Sequence, residues 1–256
     1  MGRINWLGFA TLLRRELRRY KREAWETVGA PAFSALVYFI VFALALGERR
    51  GAPEGEAILS FLAPGLVMMS VLMRAAETTS YSLMLDKMEG IISDILGAPI
   101  SAAEMTAAYA LSGAAASLVT GSVTAAALML VWPTVPAHPW AVGLFGVLGA
   151  LMLSLWGILV GLWGEKWDQL AAAFVFFLVP LIFLSGLFVP VDTLPSPLAA
   201  AMRLNPVFHA IDGFRFGFIG TSDQPPLLSA GVVAGTCALL WPLCGTLIRR
   251  GYKLRP

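Results

Sequence analysis

Six stretches of the chain carry no charge, or almost none, over lengths near that of a bilayer-crossing helix. The hydrocarbon core of a membrane takes about 20 apolar residues per helix. The stretches are 27–47, 57–82, 105–132, 141–163, 169–191 and 227–248. Pro31 lies near the start of the first, Pro180 within the fifth and Pro242 within the sixth. The second is uncharged only to Met73 and reaches Ser82 by passing Arg74 and Glu77. Those two are three apart and can pair on one helix face. The pattern predicts an all-α membrane protein with six transmembrane helices in a single domain, 1–256.

Three segments between the runs are neither plainly apolar nor plainly polar. In residues 1–26, Ile4, Leu7, Ala10, Leu13, Leu17, Tyr20 and Ala24 recur at helical spacing, with Arg15, Arg18, Arg19 and Arg22 mostly off that stripe. This predicts an amphipathic helix lying in the membrane surface, its basic groups toward headgroups or a protein partner. Residues 84–98 predict a short helix with an apolar stripe of Ile91, Ile92, Ile95 and Leu96 and an acidic face of Asp86, Glu89 and Asp94. Such a helix suits docking into a partner, or packing against its own spans. Residues 192–218 predict two outer helices, Leu198–Leu204 and Val207–Phe218, joined at Asn205-Pro206. Asn caps a helix and Pro is tolerated at its first position. Phe208, Ile211, Phe214, Phe216 and Phe218 need apolar surroundings, which predicts that the pair re-enters the membrane. Asp212 and Arg215, three apart, predict a structural ion pair.

Composition agrees with a lipid solvent. Apolar residues make up 58% of the chain and charged residues 13%, against about 25% charged in a soluble domain. Seven Lys/Arg precede the first run and four follow the last. By the positive-inside rule both ends belong in the cytoplasm, and six crossings then leave fourteen Lys/Arg inside and four outside. The long charged stretch before the first run does not read as a signal peptide, although Ala43-Leu44-Ala45 has the form of a cleavage site. Small residues four apart, Gly157/Gly161 and Gly231/Gly235, predict close packing of helices within the chain. Cys237 and Cys244, seven apart, share a helix face and read as small buried residues.

The sequence offers no catalytic or metal-ligating set. It holds no Gly-x-x-x-x-Gly-Lys-[Ser/Thr], so it cannot hold ATP in a P-loop. His-Glu-x-x-His, paired-Cys and Gly-x-Ser-x-Gly patterns are missing too. His138 and His209 both fall on the outer side, far apart. A membrane-embedded lipid-modifying enzyme would need acid, base or nucleophile at one depth. A channel or secondary transporter would need polar groups in mid-span; the third run offers only Ser112, Ser117, Thr120, Ser122 and Thr124. Those two readings, and a transport subunit powered from outside, stay open on this ground.

The stretch from Pro180 through Ser185-Gly186-Leu-Phe-Val-Pro190, Leu194-Pro195 and Asn205-Pro206 to Asp212 and Arg215 resembles the C-terminal signature of type-2 ABC transporter permeases, in particular nodulation-factor and polysaccharide exporters. Glu89-Gly90 followed by Pro99 is similar to the family's cytoplasmic coupling helix, and residues 1–26 to its connecting helix. The likeness spans nearly the whole chain. His209 departs from it, standing where an aromatic or other apolar residue is expected.

The resemblance implies a bacterial inner-membrane permease that exports an amphiphile such as a lipid-linked glycan, lipid or drug. It implies two copies forming the pathway and a separate ATPase subunit that binds ATP and Mg, so that this chain binds no cofactor itself. Membrane lipid is the other expected partner; no nucleic acid is. Asp86, Lys87, Glu89, Gly90, Ile92 and Asp94 are then expected to form one contact with the ATPase, and Arg14, Arg15 and Arg18 a second. Ser185, Gly186, Pro190, Asn205, Pro206, Asp212 and Arg215 would form the outer re-entrant motif.

Overall fold

A long apolar run meets its own backbone hydrogen-bonding needs by coiling into a helix. The computed structural model describes residues 5–22, 25–45, 53–188, 191 and 194–254, and no strand occurs among them. The helices are α1 (Trp6–Arg22), α2 (Ala30–Ala45), α3 (Pro53–Met88), α4 (Ile91–Gly97), α5 (Ala102–Val131), α6 (Pro139–Trp163), α7 (Trp167–Ala173), α8 (Val179–Phe183), α9 (Ser196–Arg203), α10 (Pro206–Ile219) and α11 (Pro226–Arg249). A π-turn at Trp25–Gly29 leads into α2, and another at Phe174–Leu178 joins α7 to α8.

Among the described residues five helices are long and apolar enough to cross a membrane: Trp25–Ala45, Ile58–Met88, Ala102–Val131, Pro139–Trp163 and Pro226–Arg249. The continuous α7–α8 helix, Trp167–Phe183, is apolar but shorter. It stops before the expected end at 191 because the chain turns at Leu184–Gly186, with Gly186 at φ +71°. The segment read as one helix over 84–98 is likewise divided. Residues up to Met88 continue α3, and Gly90 at φ +74° starts the separate α4.

Helix α6 is the hub, packing against α3, α5, α10 and α11. One apolar core joins Met68, Leu72, Ala76, Phe145, Leu153 and Ile211. A second, at the end that holds α1 and α4, joins Leu12, Leu83, Ile92, Met105, Leu155 and Ile248. Helices α2 and α11 are sparsely buried and show broad apolar faces, Phe33 and Val41 on α2 and Leu239 on α11.

The two glycine pairs behave differently. A Cβ on Gly157 would collide with Thr79 Oγ1 and the Ala76 carbonyl, so this glycine sets the closest approach of α3 and α6. Gly231 and Gly235 have nothing within 4 Å. The packing expected of that pair within the chain therefore does not form, because α11 turns this face outward. Gly157→Ala should destabilise the chain by roughly 1–3 kcal/mol through overpacking, whereas Gly231→Ala should leave it unchanged. Thermal unfolding in detergent compares the two.

Candidate functional site

A closed cluster of charges joins α1 to the last turns of α3. Asp86 is fully buried and accepts hydrogen bonds from Arg15, from Arg19 Nη2 at 2.6 Å and from the Tyr109 hydroxyl of α5. Glu16 pairs with Arg15 at 2.7 Å and with Arg19 at 3.5 Å, and accepts a hydrogen bond from the Ser82 hydroxyl. Two half-buried guanidinium groups thus face two buried carboxylates, which would be prohibitive to leave unpaired. Burial alone pulls both arginine pKa values down, but Glu16 and Asp86 reverse that and raise them. Both arginines stay charged at any working pH.

This cluster bears on the expected ATPase contact. Asp86 and Arg15 were expected on a surface offered to a partner, but their carboxylate and guanidinium are committed to each other. The apolar stripe of α1 meets the bundle only in part: Leu13 packs on the second core and the Tyr20 hydroxyl lies 2.9 Å from Thr120 Oγ1 of α5. Leu12 and Glu16 are the buried residues of α1, while Leu7 is 80% exposed. The buried Asp86 selects the edge of α1 that brings Arg15 and Arg19 to it. Helical periodicity contains no signal for that choice.

The other end of α1 is fixed as well. Asn5 caps the helix by accepting from Gly8 N at 3.0 Å. Its own backbone N–H donates to Glu104 at 2.6 Å, and its side-chain amide to the Pro99 carbonyl at 2.8 Å. Glu104 also closes a capping box with Ser101 at the start of α5. Sequence reasoning missed Asn5, Glu16, Tyr109 and Glu104. Only the Ser101-x-x-Glu104 spacing was visible as a signal.

Helix α4 hangs from this scaffold. Ile92 is buried against Leu12, Leu83 and Met105, and Ile95 and Leu96 pack on the same cluster. Lys87 Nζ donates to the carbonyls of Gly161 at 3.1 Å, Leu162 at 3.0 Å and Gly164, so it caps the C-terminus of α6. Ile92 is thus buried in the interior, and half-buried Lys87 has its ammonium on the carbonyls of α6. Glu89, Gly90, Ser93 and Asp94 are exposed. Arg14 and Arg18 are exposed on the outward edge of α1, where with Thr11, Arg22 and the partly exposed Arg15 and Arg19 they line an open cleft of about 650 Å³.

The residues of the C-terminal motif meet at the opposite end of the bundle. Where α8 stops, its last carbonyls lack helical donors. The Ser185 hydroxyl donates to Ile182 O. Asn205 Nδ2 donates to Leu181 O at 2.7 Å and to Leu184 O at 3.3 Å, while its Oδ1 accepts from Val207 N at 2.9 Å and caps α10. Pro206 takes the first position of α10. Arg215, 2% exposed, donates through Nη2 to Gly186 O at 2.9 Å and through Nε to Phe61 O at 3.2 Å. Its guanidinium lies 3.4 Å above the Phe61 ring. Pro190 lies outside the described residues.

Asp212 and Arg215 take separate partners, contrary to the expected ion pair. Asp212 accepts from the backbone N–H groups of Asp223 and Gln224 at 2.9 and 3.1 Å, fixing the turn into α11. Arg215 is drawn to the carbonyl end of α8, whose partial negative charge offsets its own. His209 bridges the Arg203 carbonyl at 2.9 Å and the Ser229 hydroxyl at 3.0 Å, tying α9 and α10 to α11. His138 stacks on Phe216, centroids 4.7 Å apart. The cysteines are free and lie against α6, Cys237 near Leu148 O and Cys244 near Leu155 O.

Long apolar helices, closely packed at glycines such as Gly157, with capped helix breaks at one end, define a polytopic membrane protein. The chain belongs to the ABC-2 type transporter family, whose profile matches residues 8–219. It is 32% identical to the inner membrane transport permease YadH of Escherichia coli K12 over the full length of both chains. It is 25% identical to Nodulation protein J of Rhizobium leguminosarum bv. viciae, covering 97% of this chain and 95% of that protein. It is 27% identical to the daunorubicin resistance ABC transporter permease protein DrrB1 of Streptomyces coeruleorubidus, covering 84% and 76%. Type-2 ABC permease membership, read from the C-terminal motif, is thereby established.

Proposed function

We propose that this chain is the membrane-spanning subunit of an ATP-driven exporter in a bacterial inner membrane, with both termini cytoplasmic. In this reading α7–α8 is the sixth crossing, α1 lies on the cytoplasmic surface, and α9–α10 re-enter from the outer side. Two copies form the pathway, and a separate ABC ATPase subunit binds ATP and Mg; this chain binds neither. The names of the relatives, transport permeases and a drug-resistance permease, support a transport role, for which the cargo proposed is an amphiphile.

The observation that carries the coupling is the Glu16/Asp86–Arg15/Arg19 cluster. It fastens the exposed Arg14 and Arg18 of α1 and the exposed Glu89, Gly90 and Asp94 at α4 to one end of α3. A push on either exposed edge then reaches the spanning helices as one rigid movement. ATP favours the closed ATPase pair, and the permease conformation bound to that pair gains population accordingly. Buried Asp86 and Ile92, half-buried Lys87 and the paired Arg15 transmit the push; the exposed residues receive it.

Glu89→Arg should abolish transport while expression and membrane insertion stay normal, because an exposed charge reverses without touching the core. Pull-down of the companion ATPase and a vesicle transport assay provide the measurement. Normal transport by that variant removes α4 from the coupling surface. A reconstituted chain that moves cargo with no ATPase present defeats the whole reading.

A further inference from the structure

Arg74 stands between two cavities. One, about 320 Å³, lies in the groove between α2 and α3, with Ser34, Arg74 and Glu77 toward one end and Tyr38, Leu66 and Met69 toward the other. The second, about 230 Å³, runs beneath α1 past Arg19, Tyr20, Thr78 and Trp167. Arg74 lines both.

Its guanidinium is underused. The side chain is 13% exposed, yet its ion pair is a single 3.3 Å contact from Nη1 to Glu77. The Nε is buried with no hydrogen-bond partner. A buried donor left unmade is costly, and a guanidinium carries five. Arg19, the other cation lining the second cavity, is already committed to Glu16 and Asp86. The unused donors of Arg74 therefore mark where an incoming acceptor gains most.

We propose that the α2–α3 groove binds a phosphate-bearing amphiphile, its phosphate on Arg74 and its chain along Leu66, Met69 and Met73. The groove carries its only charges, Arg74 and Glu77, together at one end and offers Leu66, Met69 and Met73 as apolar wall along the rest. A guanidinium matches phosphate oxygens through paired N–H donors and sheds water more readily than an ammonium. The cavity beneath α1 reaches the same Arg74 from its other side. In its role this site rests on the permease reading, since it names the chemistry of the cargo's head. Its binding is measured on the chain alone, so a failure here leaves the ATPase-coupling reading untouched.

The test uses the purified full chain in nanodiscs and phosphatidic acid with a diazirine in its acyl chain. After illumination, labelled peptides should cluster at residues 30–38 and 66–73 and saturate. Arg74→Gln should raise the half-saturating concentration about tenfold, and Arg74→Lys should raise it less. Ser34→Trp, which fills the groove from its exposed wall with Arg74 intact, should cause a comparable loss, so the site stays testable if Arg74→Gln folds poorly. Diacylglycerol with the same photoactive chain should label these peptides only weakly. Inorganic phosphate should not compete. Unchanged labelling in Arg74→Gln and Ser34→Trp overturns the proposal, as does equal labelling by diacylglycerol. Displacement by inorganic phosphate would make this a free-anion site and overturn it too.

Discussion

Asp86→Asn releases α1 from the bundle. Asparagine keeps the size of the side chain and removes its charge, leaving Arg15 and Arg19 with Glu16 as their only acidic partner. Breaking a buried ion cluster by removing one partner costs roughly 3–5 kcal/mol, because the remaining charges stay desolvated. Arg15 and Arg19 keep 32% and 22% side-chain exposure, so water recovers part of this and the lower end of that range applies. Backbone amides of residues 10–22 should exchange with deuterium at least about tenfold faster than in the parent chain. Protection in α6 should persist, since its packing on α3 and α5 does not pass through the cluster. Glu16→Gln should have a smaller effect, because Asp86 still holds both arginines. An α1 as protected in Asp86→Asn as in the parent chain would show that Asn5 and the apolar contacts suffice to hold it.

Arg215→Leu disrupts the opposite end. It removes the donors to Gly186 O and Phe61 O and the cation above Phe61. Each orphaned buried acceptor costs about 1–3 kcal/mol, so the loss is on the order of 2–6 kcal/mol. The turn after α8 should loosen from α10 and α3. In intact spheroplasts the parent chain should resist proteolysis near Asn205, and Arg215→Leu should be cut there. Arg215→Lys should be intermediate, because one ammonium cannot span both carbonyls with the geometry of a guanidinium. Equal resistance in the parent and leucine variants would mean that Asn205 and Ser185 alone hold this end.

What could be read without a structure was local. Uncharged runs of spanning length become helices because a backbone in lipid has no other donor or acceptor to use. The Asn205-Pro206 step identified a helix start because an Asn cap followed by Pro is a property of adjacent residues. The C-terminal motif identified the family, although its physical task, satisfying the carbonyls where α8 ends, became visible only with α3, α8 and α10 side by side. The break at Glu89-Gly90 was legible as a family likeness but not as the place where α3 ends and α4 begins.

The sequence by itself determined that the chain is helical, lipid-embedded, without a P-loop and a type-2 ABC permease. Tertiary structure alone decided which charges are spoken for. Asp86 meets Arg15 and Arg19 across about 70 residues, and Asn5 meets Glu104 across 99. Asp212 and Arg215, only three apart, turn to different partners. Hydrophobic periodicity reports which face of a helix tolerates lipid, but a buried charge goes to the nearest group that can neutralise it, and nearness is a property of the folded chain.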